Sequence, residues 1–187
     1  MTDSVTASKF LSLLLRHKPQ EVGLELDGEG WAEIEEIVQR TAASKTPLTR
    51  VLIEQVVRAS DKQRFQISED GLKVKANQGH SIPIDLGLTF SVPPAMLYHG
   101  TASRFLDSIG RQGLVKGERL HVHLSADPEV ARQVGLRHGK PVVLGVDSGA
   151  MHRAGMRFLV SANGVWLTDF VPAIYLSAES AQPLRSE

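Results

Sequence analysis

The chain has no cysteine, no long apolar run and no excess charge, and these absences exclude several classes of protein. Without cysteine it can form no disulfide, no thiolate metal site and no thiol nucleophile. No stretch reaches the roughly 18 consecutive apolar residues that a membrane-spanning helix needs, so we expect no membrane partner. The first residues also lack the basic start and apolar run of a secretory signal. We therefore expect a cytoplasmic protein.

Charge is balanced along the whole sequence, with 21 Lys and Arg residues against 21 Asp and Glu residues. Before Val92 there are 11 basic and 13 acidic residues, and from Val92 onward there are 10 and 8. Neither half has the basic excess that drives non-specific binding to nucleic acid, so a nucleic-acid substrate would be recognised through a local feature. The Gly-rich signatures of Rossmann and P-loop nucleotide-binding folds are absent as well.

The first half of the chain predicts three helices followed by a hairpin. Apolar residues at helical spacing predict these helices at 8–17, 31–39 and 46–59. Thr46 and Pro47 are typical of the N-cap and first position of the third helix. Alternating residues predict hairpin strands at 64–68 and 72–76. This order of elements is that of a winged-helix module, a comparison at the level of the fold only.

Beyond Pro93-Pro94 the pattern mixes strands and helices without a sustained βαβ rhythm, which predicts an α+β fold. We expect two domains, 1–92 and 93–187. Strands are expected at 96–99, 120–124, 142–146, 157–161, 165–168 and 173–176, and helices at 103–112 and 128–136. Asp127-Pro128 is typical of a helix start and opens the second of these helices. Asn163-Gly164 is a strong signal for a hairpin turn.

One short run in the second half carries polar side chains at alternating positions. They are Arg119, His121, His123 and Ser125 in the run Arg-Leu-His-Val-His-Leu-Ser. Successive side chains of a strand point to opposite faces, so a strand here would direct the polar set to one side. An arginine, two imidazoles and a hydroxyl with no carboxylate suit an anion. A phosphate-bearing ligand is the first expectation.

Three further places could bind or transform such a ligand. Arg16-His17 ends an apolar helix, where the pair could bind a phosphate and move a proton, although cations also simply favour helix C-termini. Arg64 lies on the hairpin face opposite Phe65, a position that is usually only solvated. His99-Gly100-Thr101 leaves a strand before a helix, where glycine permits close approach of a ligand and helix starts favour anions.

Two other kinds of site fit these residues less well. His121 and His123 could chelate a metal from a strand, with His99 as a third ligand. Arg119 would repel a cation and the row has no carboxylate, so we expect no metal. Ser125 lacks the Gly-x-Ser-x-Gly elbow of many hydrolase nucleophiles.

Several blocks of the chain match one known family in the same order. In the first half they are Ser8-Lys-Phe-Leu-Ser-Leu-Leu-Leu-Arg-His17, Gly23-Leu-x-Leu-Asp27 with Gly30-Trp31, and Arg64-Phe65. In the second half they are Leu97-Tyr-His-Gly-Thr101, Arg119-x-His-Val-His-Leu-Ser125 and Ser161-x-Asn-Gly-Val-Trp-Leu-Thr168. Over about residues 8–176 the chain thus resembles the RNA 2′-phosphotransferase family of the KptA type.

The resemblance implies an N-terminal winged-helix-like lobe and a C-terminal ADP-ribosyltransferase-like lobe. It implies an enzyme that removes an internal 2′-phosphate from RNA, such as a tRNA after splicing, and consumes NAD⁺ as a co-substrate. The phosphate attacks the anomeric carbon of the nicotinamide ribose and nicotinamide leaves, giving an ADP-ribosylated RNA intermediate. The ribose 2″-hydroxyl then attacks the phosphate, which releases 2′-hydroxyl RNA and ADP-ribose 1″,2″-cyclic phosphate.

The resemblance also assigns residues to this reaction. It implies that the catalytic set is Arg16, His17, Arg64 and Arg119. We expect NAD⁺ to be bound by His99, Gly100, Thr101, His123 and Ser125. The implied partners are NAD⁺ and a tRNA-like RNA with an internal 2′-phosphate, and we expect a monomer.

The sequence leaves two alternative functions open. One is an ADP-ribosyltransferase that stops after the first step and caps phosphorylated termini of DNA or RNA. The other is a non-enzymatic winged-helix regulator that binds duplex DNA through the helix 46–59. That helix offers only Arg50 and Arg58, which are few for groove recognition.

Overall fold

A computed structural model describes residues 3–60 and 63–178 of the chain. These residues form two compact units. The first consists of Met1–Leu88, Glu118–Leu120 and Ser161–Asn163, and the second of Thr89–Gly117, His121–Val160 and Gly164–Glu187. Helices and small antiparallel sheets occur together, which confirms the α+β class. The domain ranges 1–92 and 93–187 remain predictions.

The first unit contains three helices packed on one apolar core. They are α1 (Ser4–Arg16), α2 (Ile34–Thr41) and α3 (Arg50–Arg58). Helix α1 starts four residues earlier than predicted because the Asp3 carboxylate accepts hydrogen bonds from the backbone of Val5 and Thr6. Helix α3 starts later than predicted because Thr49, rather than Thr46, is its N-cap. The core includes the fully buried side chains Leu11, Leu14, Leu15, Ile34 and Ile37.

A three-stranded antiparallel sheet completes the first unit. Its strands are β1 (Ala32–Glu33), β2 (Phe65–Ile67) and β3 (Lys73–Ala76), in the order β1-β3-β2. The β2–β3 hairpin confirms the alternation seen in the sequence. Residues 32–33 were predicted as helix and this was wrong, because Ala32 pairs with Val74 in the sheet before α2 begins.

The described residues of the second unit form three small antiparallel sheets and three short α-helices. Its strands are β4 (Leu97–Ala102), β5 (Leu114–Val115), β6 (Val122–Leu124), β7 (Pro141–Val146), β8 (Leu159–Val160), β9 (Trp166–Thr168), β10 (Phe170–Val171) and β11 (Leu176–Ala178). The strand orders are β11-β7-β4, β6-β9-β8 and β10-β5. The helices are α4 (Leu106–Gln112), α5 (Pro128–Gly135) and α6 (Ser148–Arg153). Asp127 caps α5, and β8 pairs with β9 around the Asn163-Gly164 turn, both as predicted.

Several details of the second half differ from prediction, and the short strands β5 and β10 lie where no strand was expected. The strand expected at 120–124 covers only Val122–Leu124, because the backbone N–H of Leu120 donates to the carbonyl of His80 instead of joining the ladder. The strand expected at 173–176 is a 3₁₀ turn, Ala173–Tyr175, followed by β11. Helix α6 went unpredicted, although the Asp147 carboxylate accepts from Ala150 as an N-cap. Among the described residues, no helix combines the length and apolarity required to cross a membrane.

Candidate active site

All four residues of the predicted catalytic set belong to the first unit. Arg16 is the last residue of α1 and His17 is its C-cap. Arg64 directly precedes β2, and Arg119 lies in the 118–120 segment that joins this unit. The charges of Arg64 and Arg119 both depress the pKa of Arg16. The structure therefore brings together residues from three distant parts of the sequence, and their catalytic roles remain predictions.

Arg16 stays a cation although its surroundings disfavour the positive charge. Its Nη2 donates to the carbonyl of Arg64 at 3.2 Å, and its guanidinium lies 5.6 Å from the centre of the Phe65 ring. The buried Nε has no hydrogen-bond partner among the described residues. Burial, followed by the charges of Arg64 and Arg119, lowers the pKa of Arg16 to about 10. The side chain thus stays protonated at neutral pH with donor capacity that an incoming oxyanion could use.

The imidazole ring of His17 contacts a serine hydroxyl. Its Nδ1 lies 2.9 Å from the hydroxyl oxygen of Ser81. Burial lowers the pKa of His17, as do Arg16 and Arg119, whereas Glu118 acts in the opposite direction. The ring is therefore neutral at physiological pH. A neutral imidazole with Nδ1 occupied can exchange a proton through Nε2.

The backbones that carry the other two arginines are fixed by hydrogen bonds. The N–H of Arg64 donates to the Ser60 hydroxyl at 3.1 Å, and the Arg64 carbonyl accepts from the N–H of Asn77 at 3.0 Å. The residue after Arg119 donates its N–H to the His80 carbonyl at 3.1 Å. Arg64 is half-buried and Arg119 is exposed. Several guanidiniums on a restrained backbone form a site for a phosphate or another compact oxyanion.

The expected NAD⁺-binding residues lie in the second unit, where β4 meets β6. His99 donates through Nδ1 to the carbonyl of His123 at 3.0 Å, and His123 donates through Nδ1 to the carbonyl of His121 at 3.0 Å. The Ser125 hydroxyl donates to the carbonyl of Asp127 at 2.9 Å and accepts from its N–H at 3.0 Å. These contacts orient both imidazoles and tie the hydroxyl to the turn before α5. Contact of these residues with NAD⁺ remains a prediction.

Gly100 has a packing role that the sequence did not reveal. A Cβ at this position would lie 1.6 Å from the carbonyl oxygen of Ala131 in α5. Gly135, at the end of α5, is equally restricted, since its Cβ would lie 2.6 Å from the carbonyl oxygen of Thr101. Strand β4 and helix α5 therefore pack backbone to backbone. This close packing fixes His99 and Thr101 on either side of Gly100.

A cavity of about 170 Å³ opens beside these residues. Its lining is His99, Thr101, Phe105, Ser108, Ile109, Gln112, Gly113, Leu114 and Val115. The walls thus combine apolar side chains with hydroxyl, amide and imidazole groups in about equal measure, and they contain no carboxylate. Such a lining suits an aromatic ring that bears an amide.

The sequence analysis missed the segment 77–81, which follows the β2–β3 hairpin. Its backbone and side chains contact the backbones of Arg16 and Arg64 and the ring of His17. The only local signal is a run of polar residues and glycine, Asn-Gln-Gly-His-Ser, which is typical of many loops. Its contacts depend on residues far away in the sequence and could not be read from the run itself.

Two observations bear on the metal site and on the DNA-binding regulator considered in the sequence analysis. Within residues 3–60 and 63–178, no group of three or more His, Cys, Asp or Glu side chains could hold a metal ion. Both arginines of α3 pair with carboxylates, Arg50 with Glu35 at 2.7 Å and Arg58 with Glu54 at 3.4 Å. Arginines paired in this way contribute less to the recognition of a DNA groove.

Comparison with known proteins gives one consistent result. A model of the "RNA 2'-phosphotransferase, Tpt1 / KptA family" matches residues 2–170. A "Probable RNA 2'-phosphotransferase" from Agrobacterium fabrum is 52% identical over 177 residues, which cover 95% of this chain and 95% of the relative. Proteins with the same name from Burkholderia lata and Nostoc punctiforme are 52% and 49% identical, covering 98% and 94% of this chain and 94% and 98% of the relatives. As the resemblance predicted, the chain belongs to the RNA 2′-phosphotransferase family of the Tpt1/KptA type and is an enzyme of the transferase class.

Proposed function

We propose that the protein removes an internal 2′-phosphate from RNA in two steps, with NAD⁺ as the second substrate. The cluster of Arg16, His17, Arg64 and Arg119 is the observation that carries this proposal. In the first step an oxygen of the RNA 2′-phosphate forms a bond to C1″ of the nicotinamide ribose. The bond from C1″ to the pyridinium nitrogen breaks, and nicotinamide leaves as a neutral molecule with the electron pair.

In the second step the ribose 2″-oxygen forms a bond to phosphorus, and the bond from phosphorus to the RNA 2′-oxygen breaks. The 2″-hydroxyl loses a proton and the RNA 2′-oxygen gains one. The products are 2′-hydroxyl RNA and ADP-ribose 1″,2″-cyclic phosphate. Negative charge builds up on the non-bridging oxygens in this step, and fixed guanidiniums directed at those oxygens stabilise it.

His17 is the group that fits the proton transfer of the second step. Its pKa is lowered, so at neutral pH the ring can accept a proton from the 2″-hydroxyl. The first step has less need of such help, because a phosphate is already a nucleophile and nicotinamide is a good leaving group. The guanidiniums of Arg16, Arg64 and Arg119 serve chiefly to bind the phosphate and stabilise its charge.

The second unit fits the NAD⁺ substrate. Its cavity joins apolar walls to the hydroxyl of Thr101 and the amide of Gln112. His99 uses Nδ1 as a donor, so in the neutral ring Nε2 is an acceptor that suits a ribose hydroxyl. His123 and Ser125 would line the same substrate. We assign the second unit as the ADP-ribosyltransferase-like lobe and the first as the winged-helix-like lobe that binds the RNA phosphate.

The test is to incubate the protein with NAD⁺ and an oligoribonucleotide that carries one internal 2′-phosphate. We expect nicotinamide, RNA with a free 2′-hydroxyl, and ADP-ribose 1″,2″-cyclic phosphate, identified by mass spectrometry. An ADP-ribosylated oligonucleotide that persists would instead indicate an enzyme that stops at the first step. Absence of turnover together with duplex DNA binding would indicate the regulator.

The same oligonucleotide without the 2′-phosphate is the matched control for the substrate. It should give no nicotinamide, because the proposed nucleophile is missing. A spliced tRNA junction is one source of such a phosphate.

A further inference from the structure

The segment 77–81 contacts the backbone or side chain of every region that supplies a predicted catalytic residue. The N–H of Asn77 donates to the Arg64 carbonyl at 3.0 Å, and its side-chain amide donates to the Gln63 carbonyl at 2.6 Å. The N–H of Ser81 donates to the Arg16 carbonyl at 2.9 Å. The His80 carbonyl accepts from the residue after Arg119. This one segment therefore connects the end of α1, the start of β2 and the 118–120 segment.

Its interior residues are tightly packed in the first unit. His80 is 1% exposed. Gly79 has a φ of +89°, and a Cβ there would lie 3.7 Å from the Arg16 guanidinium. A φ in this range strains any other residue. Gly79 thus packs beside Arg16 in a backbone conformation that favours glycine.

Ser81 makes the most specific contact of the segment. Its N–H fixes the backbone of Arg16, and its hydroxyl oxygen lies 2.9 Å from Nδ1 of His17, the neighbouring residue. The backbone hydrogen bond to Arg16 places Ser81 beside the C-terminus of α1, and the Ser81 hydroxyl contacts Nδ1 of the His17 ring rather than Nε2. The partner of one imidazole nitrogen decides which nitrogen carries the proton and which can react.

We propose that Ser81 is a positioning residue, whose hydroxyl oxygen accepts a hydrogen bond from Nδ1–H of His17 and thereby leaves Nε2 unprotonated to accept the substrate's proton. The geometric part of this proposal stands on the hydrogen bonds alone. Its kinetic part rests on the proposed second step, in which His17 moves the proton. The experiment has one measurement for each part, so the two can fail separately.

The first measurement is the ¹⁵N chemical shifts of the two ring nitrogens of His17, recorded on the full chain without substrate. In the unchanged protein we expect Nδ1 to be protonated and Nε2 not, with well-separated shifts, and the opposite assignment would overturn the proposal. In Ser81→Ala the two shifts should move towards each other as both tautomers become populated. A wild-type ring with averaged shifts would overturn the proposal, even if Ser81→Ala failed to fold. Unchanged shifts in Ser81→Ala would overturn it too.

The second measurement separates the two steps of the reaction. Ser81→Ala should lower the rate of the second step by about 10- to 100-fold and let ADP-ribosylated RNA accumulate, with a smaller effect on nicotinamide release. Ser81→Thr keeps the hydroxyl and should restore most of the rate. An equal loss in both steps, or no rescue by threonine, would point to a merely structural role and contradict the proposal.

Ser44→Ala is a matched control in the same unit. Its hydroxyl accepts a hydrogen bond from the N–H of Thr46 at 3.2 Å, away from the predicted catalytic set. This variant should leave the His17 shifts and both steps unchanged. If the wild-type protein shows the expected His17 shifts but forms no product from NAD⁺ and phosphorylated RNA, the proposed function and the kinetic part of the inference fail, while its geometric part stands.

Discussion

At the residue scale, the backbone of Arg64 can be considered separately from its side chain. Its carbonyl accepts hydrogen bonds from Arg16 and Asn77, so the main chain organises the cluster whatever the side chain is. We propose that the guanidinium, which extends from this fixed backbone, binds the phosphate. A substitution that removes only the side chain therefore tests its chemistry with little change in structure.

We expect Arg64→Ala to slow the second step by on the order of 10²-fold, about 3 kcal/mol of lost transition-state stabilisation. ADP-ribosylated RNA should accumulate, and quenched-flow analysis of labelled RNA would measure it. Arg58→Ala removes another arginine of the same unit, exposed on α3, and should leave turnover unchanged. Loss of nicotinamide release without any intermediate would contradict the division of labour between the two steps.

The charges around His17 predict opposite shifts for two neighbouring substitutions. Arg119 lowers the pKa of His17, so Arg119→Gln should raise it. Glu118 raises that pKa, so Glu118→Gln should lower it. An NMR titration of the His17 ring measures both effects. Shifts in the same direction would mean that these charges do not act on the ring as the structure indicates.

At the scale of elements, the contact between β4 and α5 leaves no room for side chains at two glycines. Gly100 and Gly135 bring the strand and the helix together through their backbones. A backbone carbonyl cannot rotate aside as a side chain would, so relief of a clash requires movement of the whole helix. This contact fixes the positions of His99 and Thr101 at the cavity.

Gly100→Ala should therefore lower the free energy of unfolding by about 3 kcal/mol or more, since the added methyl group would meet the Ala131 carbonyl. Urea denaturation measures the change. Gly110→Ala is the matched control, because this glycine lies in α4 and an added methyl group would have no other atom within 4 Å. There alanine should be neutral or stabilise by up to about 1 kcal/mol. Equal effects at the two positions would argue against the close packing.

At the scale of the whole molecule, the buried histidine of the first unit makes the stability depend on pH. His80 is fully buried, and neither ring nitrogen has a hydrogen-bond partner among the described residues. Burial, followed by the positive charges of Arg16, His17 and Lys75, lowers the pKa of His80 to about 4. The unfolded chain has the ordinary pKa of about 6.5 and so binds the proton more readily. The stability due to the neutral ring is complete above pH 6.5 and is lost as the pH falls towards 4.

We expect the free energy of unfolding to decrease by about 3 kcal/mol between pH 6.5 and pH 4 because of His80. Chemical denaturation across this range measures the slope. His80→Leu, which cannot titrate, should have a shallower slope than the wild type. A His80→Leu slope equal to that of the wild type would assign the acid sensitivity to other groups.

Local patterns in the sequence predicted several secondary-structure elements and the family of this protein. The β2–β3 hairpin, the Asp127 cap of α5 and the Asn163-Gly164 turn depend on consecutive residues, so periodicity and turn chemistry were sufficient to find them. The matching blocks likewise identified the family, because their order and residue types are properties of the chain itself.

Tertiary structure decided what depends on distant residues. Thr49, rather than Thr46, caps α3. Arg119 lies outside β6, although its alternation with apolar residues predicted a strand that included it. Gly100 packs against α5. The contacts that organise the candidate site join residues 48 and 64 positions apart, Arg16 to Arg64 and His17 to Ser81. The sequence by itself determined which chemical groups are available and where short elements form. Only the folded chain determined which of these groups meet, because hydrogen bonding and burial depend on separation in space.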